Sequence, residues 1–427
     1  MQLKKNSRTT PSVASTLALA TCALLGAPAQ GAEPGQWQVD GSMLLYSETD
    51  RVSAIEPVIK ASRTFLNESK LDLKLTVDSL TGASHNGAAV TGAPQTFTSP
   101  SGNSTYQVPA GEVPLDDSFR DTRVSVGGQY SWLLNRTLRA SAGMNVSKEF
   151  DFFSYAANAG LSWDLNQRNT TLSVMLGLES DDIQPVGGVP VGLSLQPDQL
   201  HDGSSESRTV TDVLLGWTQV MNRRWIMQLN YNLSLASGYM TDPYKVVTLV
   251  DEVTGLPLEA EDFGAASVGP GDAQIFEQRP DSRARHAIYW ENRYNRANDD
   301  VIAVGYRFMT DDWGINSHTI DLKYRRQLAN GWFVQPHLRY YQQNEADFWR
   351  ESLTASDYSL MVSDEGYASG DYRLGKLTDT TYGIKFGREL AGGRKWDARL
   401  EFMRQSGDTD AADVSALIGQ VGYRFYW

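Results

Sequence analysis

The chain has 427 residues, with 38 lysines and arginines against 51 aspartates and glutamates and a formal net charge of −13. Such an acidic surface repels nucleic-acid phosphates and excludes a nucleic-acid-binding protein. After the N-terminal segment no stretch holds 18 consecutive apolar residues, which excludes transmembrane helices.

The N-terminus has the pattern of a secretory signal peptide. Basic residues at positions 4, 5 and 8 precede an apolar run over 13–25 and a small-residue segment ending near Ala29. This run is too short to span a bilayer, so residues 1–29 are predicted to be removed, with cleavage near 29–32. Cys22, the only cysteine, lies in this segment. The mature chain is therefore expected to have no disulfide and no cysteine-based metal site.

Apolar and polar residues alternate along most of the remaining chain. In 71–78, leucines and a valine at odd positions alternate with aspartate, lysine and threonine, so a strand presents one apolar and one polar face. Sixteen such strands are predicted at 37–47, 52–62, 70–79, 119–133, 137–150, 152–164, 169–181, 207–220, 224–240, 284–297, 300–310, 316–328, 332–346, 378–390, 395–406 and 416–427.

The connections between these strands alternate in length. Long loops are predicted at 80–118, 182–206, 241–283 and 347–377, and all of them fall on one side if both termini lie on the other. This parity predicts an all-β, helix-free fold for 37–427, namely a transmembrane antiparallel up-and-down β-barrel with long extracellular loops and short periplasmic turns. A missed or doubled strand pair would change the count of about 16 to 14 or 18.

The last strand ends in Tyr423, Phe425 and Trp427, alternate aromatics that close at the C-terminus itself. Outer-membrane barrels of Gram-negative bacteria end in this way, and the barrel assembly machinery reads the signal. We therefore expect an outer-membrane location and contact with outer-membrane lipid and lipopolysaccharide. The alternative is an ordinary edge strand that stops on tryptophan.

Tryptophans cluster near the predicted strand ends. They are Trp132, Trp163, Trp217, Trp225, Trp313, Trp332, Trp349, Trp396 and Trp427. Interface girdles explain most of them. A carbohydrate-binding aromatic slide is the rival interpretation, but it requires aromatics on the lumen face, whereas most of these fall in the lipid-facing register.

The predicted inward register is lopsided. Strands 4 to 9 place small and neutral residues inward, whereas strands 10 to 16 place basic residues there, interleaved with Glu291, Asp321, Asp397 and Glu401. The basic residues are Arg285, Arg293, Arg307, Lys323, Arg325, His337, Arg339, Lys385, Arg399 and Arg424. Two interpretations remain open. The charges either brace a closed barrel or set a transverse field across an aqueous passage, with room for an inward-folded loop such as 80–118.

Catalytic and metal-binding patterns are weak. None of the five histidines has a spacing that places metal ligands on one face, so no zinc site is predicted. Adjacent acidic pairs, among them Asp181-Asp182 and Asp311-Asp312, are predicted to lie in outer loops. They are interpreted as solvated charge, or alternatively as sites where divalent cations bridge to lipopolysaccharide. No cofactor and no enzymatic activity are predicted.

Several segments resemble the motifs of a proteobacterial family catalogued as a domain of unknown function. They are residues 78–88 (DSLTGASHNGA), 290–294 (WENRY), 306–308 (YRF), 312–319 (DWGINSHT) and 336–341 (PHLRYY). The resemblance implies an outer-membrane barrel, often encoded beside a small lipoprotein, a thioredoxin-like protein and a flavin-transferase. Envelope redox or export partners are thus implied, without an activity or catalytic residues.

Two of these motifs fall at the predicted extracellular rim, where 81–84 closes the third strand and Trp313-Gly314 forms a tight turn. They either pack as a structural latch or form a contact site for a partner or ligand. The expected members of such a site are Ser84, His85, Trp313 and His318.

The sequence favours a channel or transport-related pore for small polar or anionic solutes. The alternative is an outer-membrane scaffold or conduit for envelope partner proteins, and an embedded hydrolase ranks third.

Overall fold

Sixteen antiparallel strands close into a barrel in the computed structural model, which describes residues 35–98, 105–260, 273–296 and 299–427. The barrel strands are β1 (Trp37–Glu48), β2 (Val52–Thr64), β3 (Lys70–His85), β6 (Leu115–Leu133), β7 (Leu138–Lys148), β8 (Phe152–Leu165), β9 (Thr170–Ile183), β10 (Glu206–Asn222), β11 (Trp225–Gly238), β14 (Ser282–Asn295), β15 (Val301–Asp311), β16 (Asn316–Gln327), β17 (Trp332–Gln343), β19 (Leu377–Glu389), β20 (Lys395–Gly407) and β21 (Val414–Tyr426). The predicted barrel of 16 strands is confirmed. The predicted signal peptide and Cys22 lie outside the described residues.

The barrel closes where the first strand meets the last. Trp37 and Trp427 exchange two backbone N–H···O bonds of 2.8 Å, and β1 pairs with β21 over its whole length. Closure satisfies the backbone groups that an open sheet edge would leave unpaired, which is the condition for a sheet to cross a lipid bilayer.

Loop lengths divide between the two ends of the barrel as predicted. At the end that holds the termini, called here the turn end, the connections are short, such as 134–137 and 328–331. At the opposite end, the loop end, lie the four long loops 86–114, 184–205, 239–281 and 344–376. Part of the short connection between β14 and β15 lies outside the described residues.

Exposed apolar side chains cover the outside of the barrel. Ile59, Val126 and Leu400 are each more than half exposed, at 51%, 57% and 54%. Near the turn end, Trp332 packs between Phe386 and Trp396, with ring centroids 4.8 and 5.4 Å away. An apolar wall flanked by aromatics is stable in lipid and costly in water, so this face is built to contact a membrane.

Strand β3 extends six residues beyond its predicted end at 79, because a β-bulge lets the chain continue past Gly82. Gly82 has φ +127°, and a Cβ there would lie 2.2 Å from the backbone oxygen of Arg51. Only glycine fits such a position. The bulge carries Ser84 and His85 beyond the expected rim, and β6 correspondingly begins at Leu115.

The long loops fold together over the loop end, and their described residues are called the cap. The cap contains strands β4 (Gln95–Thr98), β5 (Thr105–Val108), β12 (Val246–Val250), β13 (Gln274–Phe276) and β18 (Ser352–Thr354) and helix α1 (Ala355–Ser363). The helix-free expectation is therefore wrong. Thr354 and Asp357 form a reciprocal capping box that starts α1. No helix in the described residues is long and apolar enough to cross a membrane.

The cap has its own hydrophobic core, built from separate loops. One cluster joins Leu195, Val247, Ile275 and Leu353, and a second joins Phe97 to Val246. Burial of apolar surface between loops therefore stabilises the cap as a folded layer.

Candidate functional site

A cavity of about 400 Å³ lies inside the barrel wall formed by β10, β11 and β14 to β17. Its two sides differ in chemistry. On one side β11 contributes Gln228, Asn230 and Asn232, which are all buried. On the other side β14 to β17 contribute Arg293, Arg307, Lys323 and Arg339 together with Glu291 and Asp321. Neutral inward residues of β11 and charged inward residues of β14 to β17 thus border one cavity.

The predicted lumen residues lie on inward positions, because they alternate with exposed apolar side chains of the same strands. Arg339 lies between Leu338 and Tyr340, and Lys385 lies between Ile384 and Phe386. The same alternation places Arg285, Arg293, Arg307, Lys323, Arg325, His337, Arg399 and Arg424 inward.

Most of these cations are paired with carboxylates. The pairs are Arg293–Glu291 at 2.7 Å, Lys323–Asp321 at 2.7 Å, Arg325–Glu389 at 2.5 Å, Lys385–Asp397 at 2.8 Å, Arg399–Glu401 at 3.5 Å and Arg424–Asp40 at 2.6 Å. Pairs between neighbouring strands, such as Lys385–Asp397, brace the wall, whereas Arg293–Glu291 lies within one strand. Because each pair is locally neutral, it contributes little net field.

His337 extends the bracing over four neighbouring strands, β16, β17, β19 and β20. Its Nε2 lies 2.9 Å from Oδ2 of Asp321 on β16, and its Nδ1 lies 2.7 Å from Oε1 of Glu401 on β20. The strand between His337 and Glu401 contributes Gly383, which is in register with both. The absence of a side chain at Gly383 allows the contact.

Three inward arginines differ from the rest. Among the residues that the structure describes, no carboxylate lies within ion-pairing distance of Arg285, Arg307 or Arg339. The carboxylate opposite Arg285 is Asp311, but Arg283 binds it, with Nε at 2.9 Å.

The carboxylate opposite Arg339 is Asp321, which Lys323 and His337 occupy. Arg307 faces neutral Tyr289 and Thr319. The described part of the lumen thus carries three arginines that bind no carboxylate, although the charge of Asp212 acts on Arg285 and that of Asp379 acts on Arg339.

Two of the four predicted rim residues lie beneath the cap. Ser84 and His85 line a cavity of about 390 Å³. The His85 Nε2 lies 3.0 Å from the backbone oxygen of Ala88, and its ring contacts Tyr372 at 5.7 Å. Lys245 donates to the His85 backbone oxygen. Both ring nitrogens of His85 are engaged, since Gly87 N–H donates to Nδ1 at 3.2 Å.

The other two rim residues lie apart from this cavity. Trp313 is buried, its Nε1 donates to the Ser282 oxygen at 2.8 Å, and Arg283 lies over its ring at 4.2 Å. Trp313 therefore packs inside the loop end and is not one of the tryptophans that an interface girdle explains. His318 is exposed on the outer face, 2.8 Å from the Tyr306 hydroxyl. The structure does not bring the four residues into one site.

Two of the acidic pairs expected to be solvated contain buried members. Asp181 is 1% exposed and Asp311 is 9% exposed, and each binds an arginine, Arg208 and Arg283 respectively. The alternation of the strands explains the correction, because these aspartates are the inward residues of their pairs.

A buried charge cluster in the cap was not predicted. Arg373 donates to Asp371 at 2.7 and 2.9 Å and pairs with Asp242 at 3.4 Å. Arg279 donates to Asp371 at 3.0 Å and to Glu277 at 3.0 Å. The cluster fastens the loop 239–281 to the loop 344–376. No local pattern identifies it, because its members come from loops about 100 residues apart.

The pKa values in this cluster follow from burial and pairing. Burial alone would raise the pKa of Asp371, but Arg373 and Lys245 beside it hold that pKa well below its usual range. Burial opposes the charge of Arg373, yet Asp371 and Asp242 raise its pKa. Both groups therefore stay ionised, and the cap is fastened by charge-assisted hydrogen bonds.

The cluster spans the lumen. Arg373 lines the 390 Å³ cavity beside β1 to β3, β20 and β21, and also a cavity of about 240 Å³ beside β9 to β11 and β14 to β17. These walls lie on opposite sides of the barrel. Gln343 of β17 fixes the segment by donating to the backbone oxygens of Arg373 and Gly375 at 3.0 and 2.7 Å. Asp371 to Leu374 thus cross the lumen, and Leu80, Ser84 and His85 of the range 80–118 line one of the two cavities beside them.

The C-terminal aromatics lie at the turn end. Tyr423 and Phe425 stack at 6.0 Å on the outer face, and the Trp427 side chain is exposed. Their role in assembly stays a prediction. In the described residues, no three histidine, cysteine, aspartate or glutamate side chains are grouped in a way that could hold a metal ion.

Solved structures with a similar fold are outer-membrane proteins of low sequence identity. The outer-membrane protein OpdK of Pseudomonas aeruginosa is 10% identical, with 92% of this chain and 99% of that chain covered and a TM-score of 0.39. OprB of Pseudomonas putida is 9% identical, with 100% and 99% covered and a TM-score of 0.41. CdiB of Acinetobacter baumannii is 8% identical, with 92% and 60% covered and a TM-score of 0.46. No curated protein matches the chain.

The family model described as "Protein of unknown function (DUF3570)" matches residues 14–423. The expected resemblance is therefore confirmed over nearly the whole chain. With its closed 16-stranded barrel of the outer-membrane type, the chain belongs to the DUF3570 family.

Proposed function

We propose that the protein is a gated channel in the outer membrane of a Gram-negative bacterium and that it conducts small polar anions. The observation that carries this proposal is the row formed by Arg285, Arg307 and Arg339, inward cations that bind no carboxylate in the described structure. Bracing alone does not require uncompensated charge.

The field of this row acts across a confined aqueous space. The neighbouring strand β11 lines the same cavity with neutral amides, which do not balance the arginine charge. Low-dielectric walls focus such a field and raise the local concentration of ions of opposite sign. Anions are therefore expected to enter the lumen more readily than cations.

The cap supplies the gate. Residues 371–374 cross the lumen above the arginine row and are fastened by the charge cluster around Asp371. A solute passing between the two ends has to displace this segment or pass beside it. Conductance is therefore expected to switch between states as the cap opens and closes.

The experiment is a measurement of ion selectivity in planar bilayers. The variant Arg285→Gln/Arg307→Gln/Arg339→Gln should move the reversal potential in a KCl gradient toward cation preference. The matched control is Asp40→Asn/Arg424→Gln, which removes a braced pair without changing the net charge of the lumen.

The shift should be larger in dilute salt, because the Debye length is about 10 Å at 0.1 M and about 3 Å at 1 M. An unchanged reversal potential in the triple variant would contradict the proposal.

A further inference from the structure

We infer that the 400 Å³ cavity is a binding subsite for a hydroxylated monocarboxylate, the chemical class of sugar acids and polyhydroxy acids. This inference rests on the proposed function and names the solute that the channel selects. It is carried by the chemistry of the two walls of the cavity, each considered in turn.

One wall is suited to a single carboxylate. Arg307 and Arg339 both line the cavity and bind no carboxylate of the protein. Thr319 pairs with Arg307 on one side and with Tyr341 on the other, and Tyr341 is two residues from Arg339 on the same face. Both guanidinium groups thus border the same space. Guanidinium groups bind carboxylates through two parallel hydrogen bonds.

The other wall is suited to hydroxyl groups. Gln228, Asn230 and Asn232 are inward residues of β11, and each amide offers both a donor and an acceptor. Within this ladder Gln228 donates to Asn230 at 3.2 Å. Neutral hydroxyls, which also donate and accept, match such a surface better than an apolar chain does.

The remaining lining disfavours two competing solute classes. Glu291 and Asp321 also border the cavity and repel a second carboxylate placed near them. Leu214 and Ala287 are the aliphatic side chains of the lining, so a fatty chain would also have to cover amide and charged groups. The volume corresponds to about 13 water molecules at about 30 Å³ each, enough for a six-carbon solute.

The test is calorimetric titration of the purified full-length barrel in detergent with gluconate. Three probes dissect the ligand, namely hexanoate, which lacks hydroxyls, sorbitol, which lacks the carboxylate, and glucarate, which adds a second carboxylate. Gluconate should bind at least tenfold more tightly than each. Equal binding of hexanoate or glucarate would overturn the assignment.

Variants locate the site. Arg307→Gln and Arg339→Gln should each weaken gluconate binding about tenfold or more, whereas Asn230→Ala should reduce the preference for gluconate over hexanoate. Asp40→Asn/Arg424→Gln, a paired site that does not line the cavity, should leave binding unchanged. Asn230→Ala leaves the charge of the lumen unchanged, so it still tests the site if an arginine variant does not fold. Binding that is unaffected by all three variants would contradict the site.

Binding in detergent does not depend on conduction, which separates the two proposals. Gluconate binding without any bilayer current would retain the subsite and overturn the channel. Anion-selective current without selective gluconate binding would retain the channel and overturn the subsite.

Discussion

The Nδ1 atom of His337 lies 2.7 Å from Oε1 of Glu401, although the whole of strand β19 runs between their strands. Gly383 makes this contact possible, because a Cβ at that position would lie 2.3 Å from the Leu400 oxygen and 2.5 Å from Cγ of Glu401. The close approach of His337 and Glu401 therefore requires glycine at this mid-strand position.

Gly383→Ala is therefore expected to destabilise the barrel by about 1–3 kcal/mol, the usual cost of overpacking. The matched control is Gly177→Ala, another inward glycine, where the added Cβ would make an ordinary contact of 3.6 Å with Asp212. Urea unfolding in lipid vesicles, followed by tryptophan fluorescence, measures the free energy of unfolding of both variants. Equal losses in the two variants would contradict the role of Gly383.

Arg373→Gln is expected to open the cap. Hydrogen bonds to a charged group are worth about 1.5–3 kcal/mol, and here the loss falls on the contact between the loops 239–281 and 344–376, while Asp371 keeps Arg279. The open probability in bilayers should rise at least tenfold. Arg350→Gln, at an exposed cap arginine that donates to the backbone oxygens of Asp347 and Trp349, is the control. A variant that conducts like the wild type would show that the cap is not the gate.

Glu149, in the short connection between β7 and β8 at the loop end, is expected to make the free energy of unfolding depend on pH. Burial raises the pKa of Glu149 to about 8, and the adjacent Asp121 adds to the rise. An unfolded glutamate ionises near pH 4.5, so between about pH 4.5 and 8 the folded state holds a proton that the unfolded state has lost. The free energy of unfolding should fall as the pH rises through this window.

Glu149→Gln should remove this part of the pH dependence, because glutamine keeps the polar contacts without ionising. Thermal unfolding of the wild type and the variant at pH 5 and pH 8.5 measures the difference. The wild type should lose more stability than the variant on going to pH 8.5, and parallel losses would show that Glu149 ionises normally.

The sidedness of the barrel predicts which positions are accessible from outside the cell. Val253 and Leu360 are exposed at the loop end, and Leu66 and Leu134 are exposed at the turn end. Single cysteines at the first two should react with an impermeant maleimide on intact cells, and those at the second two should react only after the outer membrane is permeabilised. Labelling of Leu66→Cys as strong as that of Leu360→Cys would reverse the topology.

The barrel could be predicted from the sequence because the pattern that specifies each strand lies within that strand. A strand in a lipid-facing wall alternates with period two, and Leu322 and Lys323 reveal their opposite faces without reference to any other part of the chain. The short turns between strands are also recognised from the residues within them. The extension of β3 was missed because Gly82, read alone, marks a strand end as well as it marks a bulge.

The segment across the lumen and the pairing of the lumen charges could not be predicted, because both depend on contacts distant in sequence. The sequence places Arg339 inward, but only the folded barrel shows that Asp321 is already occupied by Lys323 and His337. The ion pair between Asp371 and Arg279 likewise depends on how two loops pack. Loops have no periodic sequence pattern that would predict their contacts.

The central claim is that this barrel conducts anions, and the most direct test is the current through the purified wild-type protein in a planar bilayer with a tenfold KCl gradient. The account predicts switching currents whose reversal potential lies toward the chloride equilibrium potential. Cation preference, or no current in either the wild type or Arg373→Gln, would contradict it and would favour a scaffold for envelope partners.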